Sequence, residues 1–188
     1  MATLNDKNVG DIVKIKENGA AVNFIIIHKG QGRNVYSPVT DGVWLLREEA
    51  YPESIIYSVG GSDPCEYSSS NIHTWLNSDY LSYIDTKIRS VIKDVVIPYT
   101  NGYGSVVNGS KGLSCKAFSL NGSEVGLYQY RNSNDGRSLS YFSEDTAKNG
   151  TTVTNGKRIC YTTLNGEKYA VFWITRNSID ENPEYTDC

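Results

Sequence analysis

The chain has 188 residues, 21% of them charged, and a formal net charge of -3. That length can bury a substantial core, and a single domain over 1–188 with a polar tail at 177–188 is expected. A mildly acidic balance without clustered Lys and Arg excludes a nucleic-acid partner, and an apolar run no longer than Phe24–Ile27 excludes membrane insertion through that segment.

The first ten residues contain no apolar stretch, so no secretory leader is expected. Ile12 to Lys16 alternates apolar and polar residues, as an edge strand does. Asn18-Gly19 is a hairpin turn that needs positive φ, and Val22–His28 is the returning strand, with Ile25-Ile26-Ile27 implying cover on both faces. Gly30–Asn34 is a loop, Asp41-Gly42 a second turn, and Val43–Arg47 a short buried strand. Pro52 limits any helix over 48–57, and a polar loop follows to Ser69.

Residues 70–81 carry the clearest helical signal. Ser70 or Asn71 serves as N-cap, and Ile72, Trp75, Leu76 and Tyr80 form one apolar stripe anchored by Trp75. Asp85 caps a second helix, with Ile88, Val91 and Ile92 inward and Lys87, Arg89 and Lys93 outward. Val95–Ile97 is a strand ended by Pro98, 101–112 is a loop, and Cys115–Leu120 alternates as a further strand. A turn or short helix begins at Asn121-Gly122, and 126–145 is rich in Tyr, Ser and Asn. Strands at 159–163 and 169–174 are joined across Asn165-Gly166. Asn-Gly recurs at Asn18, Asn101, Asn108, Asn121, Asn149, Asn155 and Asn165. Such repeated hairpin signals favour an α+β domain of short antiparallel strands with two helices packed on them.

Little in the chain suggests catalysis. Its two histidines, His28 and His73, lack the carboxylate or histidine spacing of a metal site, and no G-x-S-x-G elbow occurs. The G-x-G pairs at Gly30 and Gly102 do not continue into a phosphate cradle. Carboxylates at Glu48 and Glu49, or at Asp180, Glu181 and Glu184, fit solvated surface better than an acid–base pair. Cys65, Cys115, Cys160 and Cys188 form no C-x-x-C pair, so zinc is not expected and free thiols are the default, with Cys115 and Cys160 in strands. No enzymatic activity, cofactor or metal is expected.

Eight motifs in order do point to a family: G-D-I-V-K at 10–14, W-L-L-R-E at 44–48, N-I-H-T-W-L-N-S-D-Y-L at 71–81, I-P-Y at 97–99, G-L-S-C-K-A-F-S-L at 112–120, E-V-G at 124–126, K-R-I-C-Y at 157–161 and F-W-I-T-R at 172–176. The set resembles an uncharacterised domain family of gut anaerobes and their phages, similar to the C-type lectin fold. The resemblance implies a C-type-lectin-like architecture and a variable binding surface in the C-terminal part. Trp173 and Arg176 match its W-x-x-R motif, whereas Asn177 and Ser178 replace the usual Ser-Pro. Glu181-Asn182-Pro183 departs from the Glu-Pro-Asn calcium motif of sugar-binding lectins, so calcium-dependent sugar binding is not expected.

The function this implies is a phage-encoded virion or tail-associated protein that binds a host cell-surface protein or glycan, or other virion proteins. Tyr128, Tyr130, Arg131, Asn134, Arg137 and Tyr141 are the candidate binding residues, since aromatic and Arg anchors among small polar neighbours suit recognition. The alternative is a structural subunit, a capsid decoration or head fibre, acting as a homo-oligomer.

Overall fold

A computed structural model describes residues 3–31, 41–57, 66–101, 105–125, 139–145, 157 and 160–171. It is a mixed α+β fold organised around a three-stranded antiparallel sheet in the order β1 (Ile12–Glu17), β2 (Ala20–Gln31), β3 (Asp41–Arg47). The β1–β2 turn has Asn18 at φ 50° and Gly19 at φ 79°, the left-handed pair a two-residue hairpin requires. Asp41 and Gly42 are not a turn: they pair with Gln31 and Gly30 at the start of β3. The turn residues there are overridden by the long β2, which offers them a partner strand.

The sheet is covered on both faces. Ile25 and Ile27 of β2 and Trp44 and Leu46 of β3 pack on a cluster with Leu120, Val125, Leu139 and Phe142. Phe24 and Leu45, one residue out of phase, pack with Ile15, Tyr80, Ile84, Ile88 and Ile92. This is the period-two alternation of a strand buried on both sides. A bulge between Ile26 and His28 adds a residue to β2, and the adjacent Ile26 and Ile27 are both buried. Trp44 and Phe118 also reach a third cluster of Tyr67, Ile97 and Cys115.

One main helical run covers the second face. It comprises α1 (Asn71–Trp75), a π turn (Leu76–Tyr80) and α2 (Leu81–Tyr83). Ser70 is the N-cap: its hydroxyl oxygen accepts from the His73 backbone N–H at 3.1 Å. The π turn adds a residue to the helical repeat, so the apolar stripe does not run straight. Ile72 packs with Tyr67, whereas Tyr80 packs with Ile84 under the sheet. Trp75 is consequently not the buried anchor of the stripe. It is half-buried in an aromatic group, 4.9 Å from Tyr51 and 5.2 Å from Tyr80 between ring centroids.

The second helix is a single turn, α3 (Thr86–Arg89), capped by Asp85 as expected. Because it stops at Arg89, Val91 falls outside the helical repeat and is exposed, while Ile88 and Ile92 still face the core. Arg89 does not simply point outward, since it donates to the Leu81 carbonyl at 3.3 Å.

The remaining strands are short: β4 (Val95–Ile97) pairs with β7 (Leu113–Cys115), and β5 (Tyr99–Thr100) with β6 (Val106–Val107). A Cβ at Gly112 would run into the Ile97 carbonyl, so β4 and β7 meet only because that residue is Gly. The alternation over 115–120 does not extend the strand. The Asn77 side-chain amide takes the backbone there instead: its oxygen accepts from Lys116 N–H at 2.8 Å and Ala117 N–H at 3.2 Å, and its nitrogen donates to the Ala117 carbonyl at 2.8 Å. A last hairpin, β8 (Cys160–Leu164) and β9 (Glu167–Val171), turns at Asn165 (φ 52°) and Gly166 (φ 83°). It joins the body through an Ala50 N–H to Tyr161 carbonyl bond and Glu49, which pairs with Lys168 at 3.2 Å. No helix among the described residues is long and apolar enough to cross a membrane.

Candidate functional site

The described residues on either side of the candidate recognition stretch meet at one point. Val125 and Leu139 bracket residues 126–138, both lie in the cluster on the face of the sheet opposite the main helical run, and they are 2% and 0% exposed. Leu139 N–H donates to the Glu124 carbonyl at 2.9 Å, which closes the base. Burial drives this closure: the apolar side chains that flank 126–138 join the same core.

The base is stiffened by a reciprocal cap. The Asn121 side-chain oxygen accepts from Glu124 N–H at 2.8 Å, and the Glu124 carboxylate accepts from Asn121 N–H at 2.9 Å. Both residues are buried, which makes their satisfied hydrogen bonds a condition of the fold. Beyond Leu139 the chain forms a short 3-10 helix, Ser140–Asp145. Ser140 Oγ lies 2.7 Å from His28 Nδ1, and the buried His28 ring meets Trp44 edge-on. His28 thus ties the re-entry point to β2.

Of the six residues expected to form the binding surface, Tyr141 alone falls within the described residues; Tyr128, Tyr130, Arg131, Asn134 and Arg137 lie outside them. Tyr141 is half-buried, its ring edge-on to Phe142 at 5.1 Å and the Lys157 ammonium 5.1 Å from its centroid. Burial, then the negative charge of Glu48, pushes its phenol pKa up, so it stays a neutral hydrogen-bonding group near pH 7. The Trp173–Arg176 motif and the carboxylates at 180–184 also lie outside the described residues.

Several chemistry-bearing groups among the described residues elsewhere are engaged structurally. Glu17, buried, accepts from Arg47 at 3.1 Å and from the Tyr80 hydroxyl at 2.8 Å. That places Tyr80 in a low-dielectric site, and its pKa rises through desolvation first and the Glu17 charge second. Glu48 accepts from the Asn23 amide at 2.9 Å, and His73 packs edge-on against Tyr67. Cys115 is buried, and Cys160 is half-buried with its pKa pushed up by desolvation.

Sequence reasoning missed Tyr67, Glu17 and the Asn121–Glu124 pair. Only the last carried a local signal, the N-x-x-E spacing of a capping box. Among known proteins, the model of a domain of unknown function, DUF6273, matches residues 41–186, so β1 and β2 precede the matched segment while pairing with it. No curated protein and no solved structure matches the chain.

Proposed function

Because the chain belongs to the DUF6273 family, whose function is unknown, its role has to be argued from its own residues, and we propose that it is a non-enzymatic recognition protein. It would be phage-encoded, associated with the virion or tail, and directed at a host surface protein or glycan through the 126–141 stretch. Its fold would be related to that of C-type lectins. The observation that carries this reading is the closed base: a Tyr, Asn and Arg-rich segment whose two ends meet in a rigid core has the arrangement of a binding loop on a scaffold.

The test replaces Tyr130 and Arg131 by Ala and measures adsorption of the protein to host cells. Adsorption should fall at least tenfold with the thermal midpoint unchanged; unchanged adsorption removes this surface from consideration.

A second reading, a structural capsid or head-fibre subunit, draws on the β8–β9 hairpin. Its Tyr161, Leu164 and Tyr169 are 37%, 51% and 47% exposed, the kind of side chains that symmetric contacts cover. Light scattering discriminates: a stable trimer or larger assembly that Leu164→Lys dissociates favours the subunit, and a monomer at micromolar concentration favours the binder.

A further inference from the structure

A groove of about 450 Å³ opens where the main helical run, α3 and β7 meet, and it shares no residue with the loop base. Its size is within the ~300–1,000 Å³ range of small-ligand sites. Asn77 builds it from below. By holding the Lys116 and Ala117 backbone, that amide turns the chain away from β7 and sets Lys116 on the rim.

Arg89, Lys116 and Asp94 supply the charge, and Ser78, Ser82 and Ser114 supply hydroxyls. The charges leave one net positive. Among the described residues Arg89 spends one N–H on the Leu81 carbonyl, so most of its donor fork remains for a ligand. Lys116 is held only loosely, 3.8 Å from an Asp94 carboxylate that is 72% exposed. The hydroxyl hydrogens of Ser78 and Ser82 are committed to the Thr74 and Asp79 carbonyls at 2.8 and 2.6 Å. Their oxygens can therefore only accept within the groove. The site offers cationic donors beside neutral and anionic acceptors.

A ligand complementary to that set carries one anionic group and several hydroxyl donors. We infer that the groove binds an acidic sugar, its carboxylate on Arg89 and Lys116 and its hydroxyls donating to Ser78, Ser82 and Asp94. A charge-assisted bond to guanidinium is about twice as strong as a neutral one, so the carboxylate should dominate affinity. A bare anion would leave the acceptors unused. The inference rests on the recognition reading above for its class of ligand, but on different residues.

The test is titration calorimetry of the full chain with sialyllactose, lactose and inorganic phosphate. Sialyllactose should bind at least tenfold more tightly than either of the others. Lys116→Gln should weaken it about tenfold. Arg89→Gln should act like Lys116→Gln; if it loses its fold because the Leu81 carbonyl is orphaned, Lys116→Gln, with its exposed and loose contact, decides alone. Equal binding of lactose, or phosphate bound as tightly as the sugar, overturns the proposal, as does sialyllactose binding that both Gln variants leave intact. The two readings fail separately. Absent sugar binding with adsorption still dependent on Tyr130 and Arg131 overturns the groove alone; sugar binding without that dependence overturns the loop alone.

Discussion

The two faces of the central sheet are closed in different ways. On one, the stretch from the main helical run through α3 to Ile92 lays Tyr80, Ile84, Ile88 and Ile92 across β1 and β2. On the other, the described residues Leu120, Val125, Leu139 and Phe142 come from a turn and a 3-10 helix on either side of 126–138. The helical face is continuous in sequence and seals itself with a buried ion pair. The loop face is assembled from separate segments and held by backbone caps and the His28–Ser140 contact. A face of the first kind suits a scaffold, and one of the second kind can carry an insertion of any length at its rim.

The sharpest way to break the helical face is to remove Glu17. Arg47, only 18% exposed, would keep its charge without its partner, and the Tyr80 hydroxyl would lose its acceptor. Breaking a buried pair from one side costs about 3–5 kcal/mol, so Glu17→Ala should bring the whole chain near its unfolding threshold. Urea denaturation measures this, and a loss under about 1 kcal/mol would show that the network is solvated. On the loop face, Leu139→Ala empties a fully buried site and should cost roughly 2–5 kcal/mol. If that face is the binding base, the variant should also lose adsorption at temperatures where it is still folded, and Glu17→Ala should not.

These faces were unequally legible. Asn18-Gly19, Asn165-Gly166, the Ser70 cap and the Asp85 cap could be read because each depends on two to four adjacent residues. Trp75 misled because a π turn, invisible to a 3.6-residue pattern, rotates the stripe beyond it. The 115–120 strand misled because Asn77, about forty residues away, takes its backbone hydrogen bonds. Glu17 carries no local signal in the sequence, and only the fold brings Arg47 and Tyr80 to it. At the candidate site, composition indicated the Tyr-rich stretch, but that its ends share one core depends on contacts with Ile27 that no local pattern records.

A smaller comparison sets the two caps against each other. Asn121→Ala orphans the Glu124 N–H inside the protein, and should cost about 1–3 kcal/mol. Ser70→Ala removes an N-cap at a helix start, which is worth about 1 kcal/mol. Hydrogen exchange adds the regional readout. Asn121→Ala should speed exchange at the Leu139 amide, which bonds the Glu124 carbonyl, and leave β1 and β2 protected; Ser70→Ala should speed it at His73 and Thr74. Equal loosening of both regions by either variant would mean that the faces unfold as one unit.

The smallest effect comes from His73, which lies half-buried beside Tyr67, its pKa lowered because burial disfavours the imidazolium. The unfolded chain takes up this proton near the ordinary value of about 6.5, whereas the folded chain resists it until lower pH. The His73 contribution to stability is therefore complete above about pH 6.5 and is lost as pH falls through the lowered folded value. His73→Gln should flatten the stability curve on the acid side of about pH 6.5, the comparison with the parent cancelling the carboxylates and His28. Its site also touches Asn77, whose nitrogen donates to the His73 carbonyl at 3.0 Å, so acid pH should disturb the groove side of the helical face before the loop base. Chemical shifts of the Lys116 and Ala117 amides, followed from about pH 7 to 5, report that coupling. If they hold steady while those of Leu139 and Ser140 move, the acid-sensitive side is the loop face, and the division between the two faces has been drawn the wrong way round.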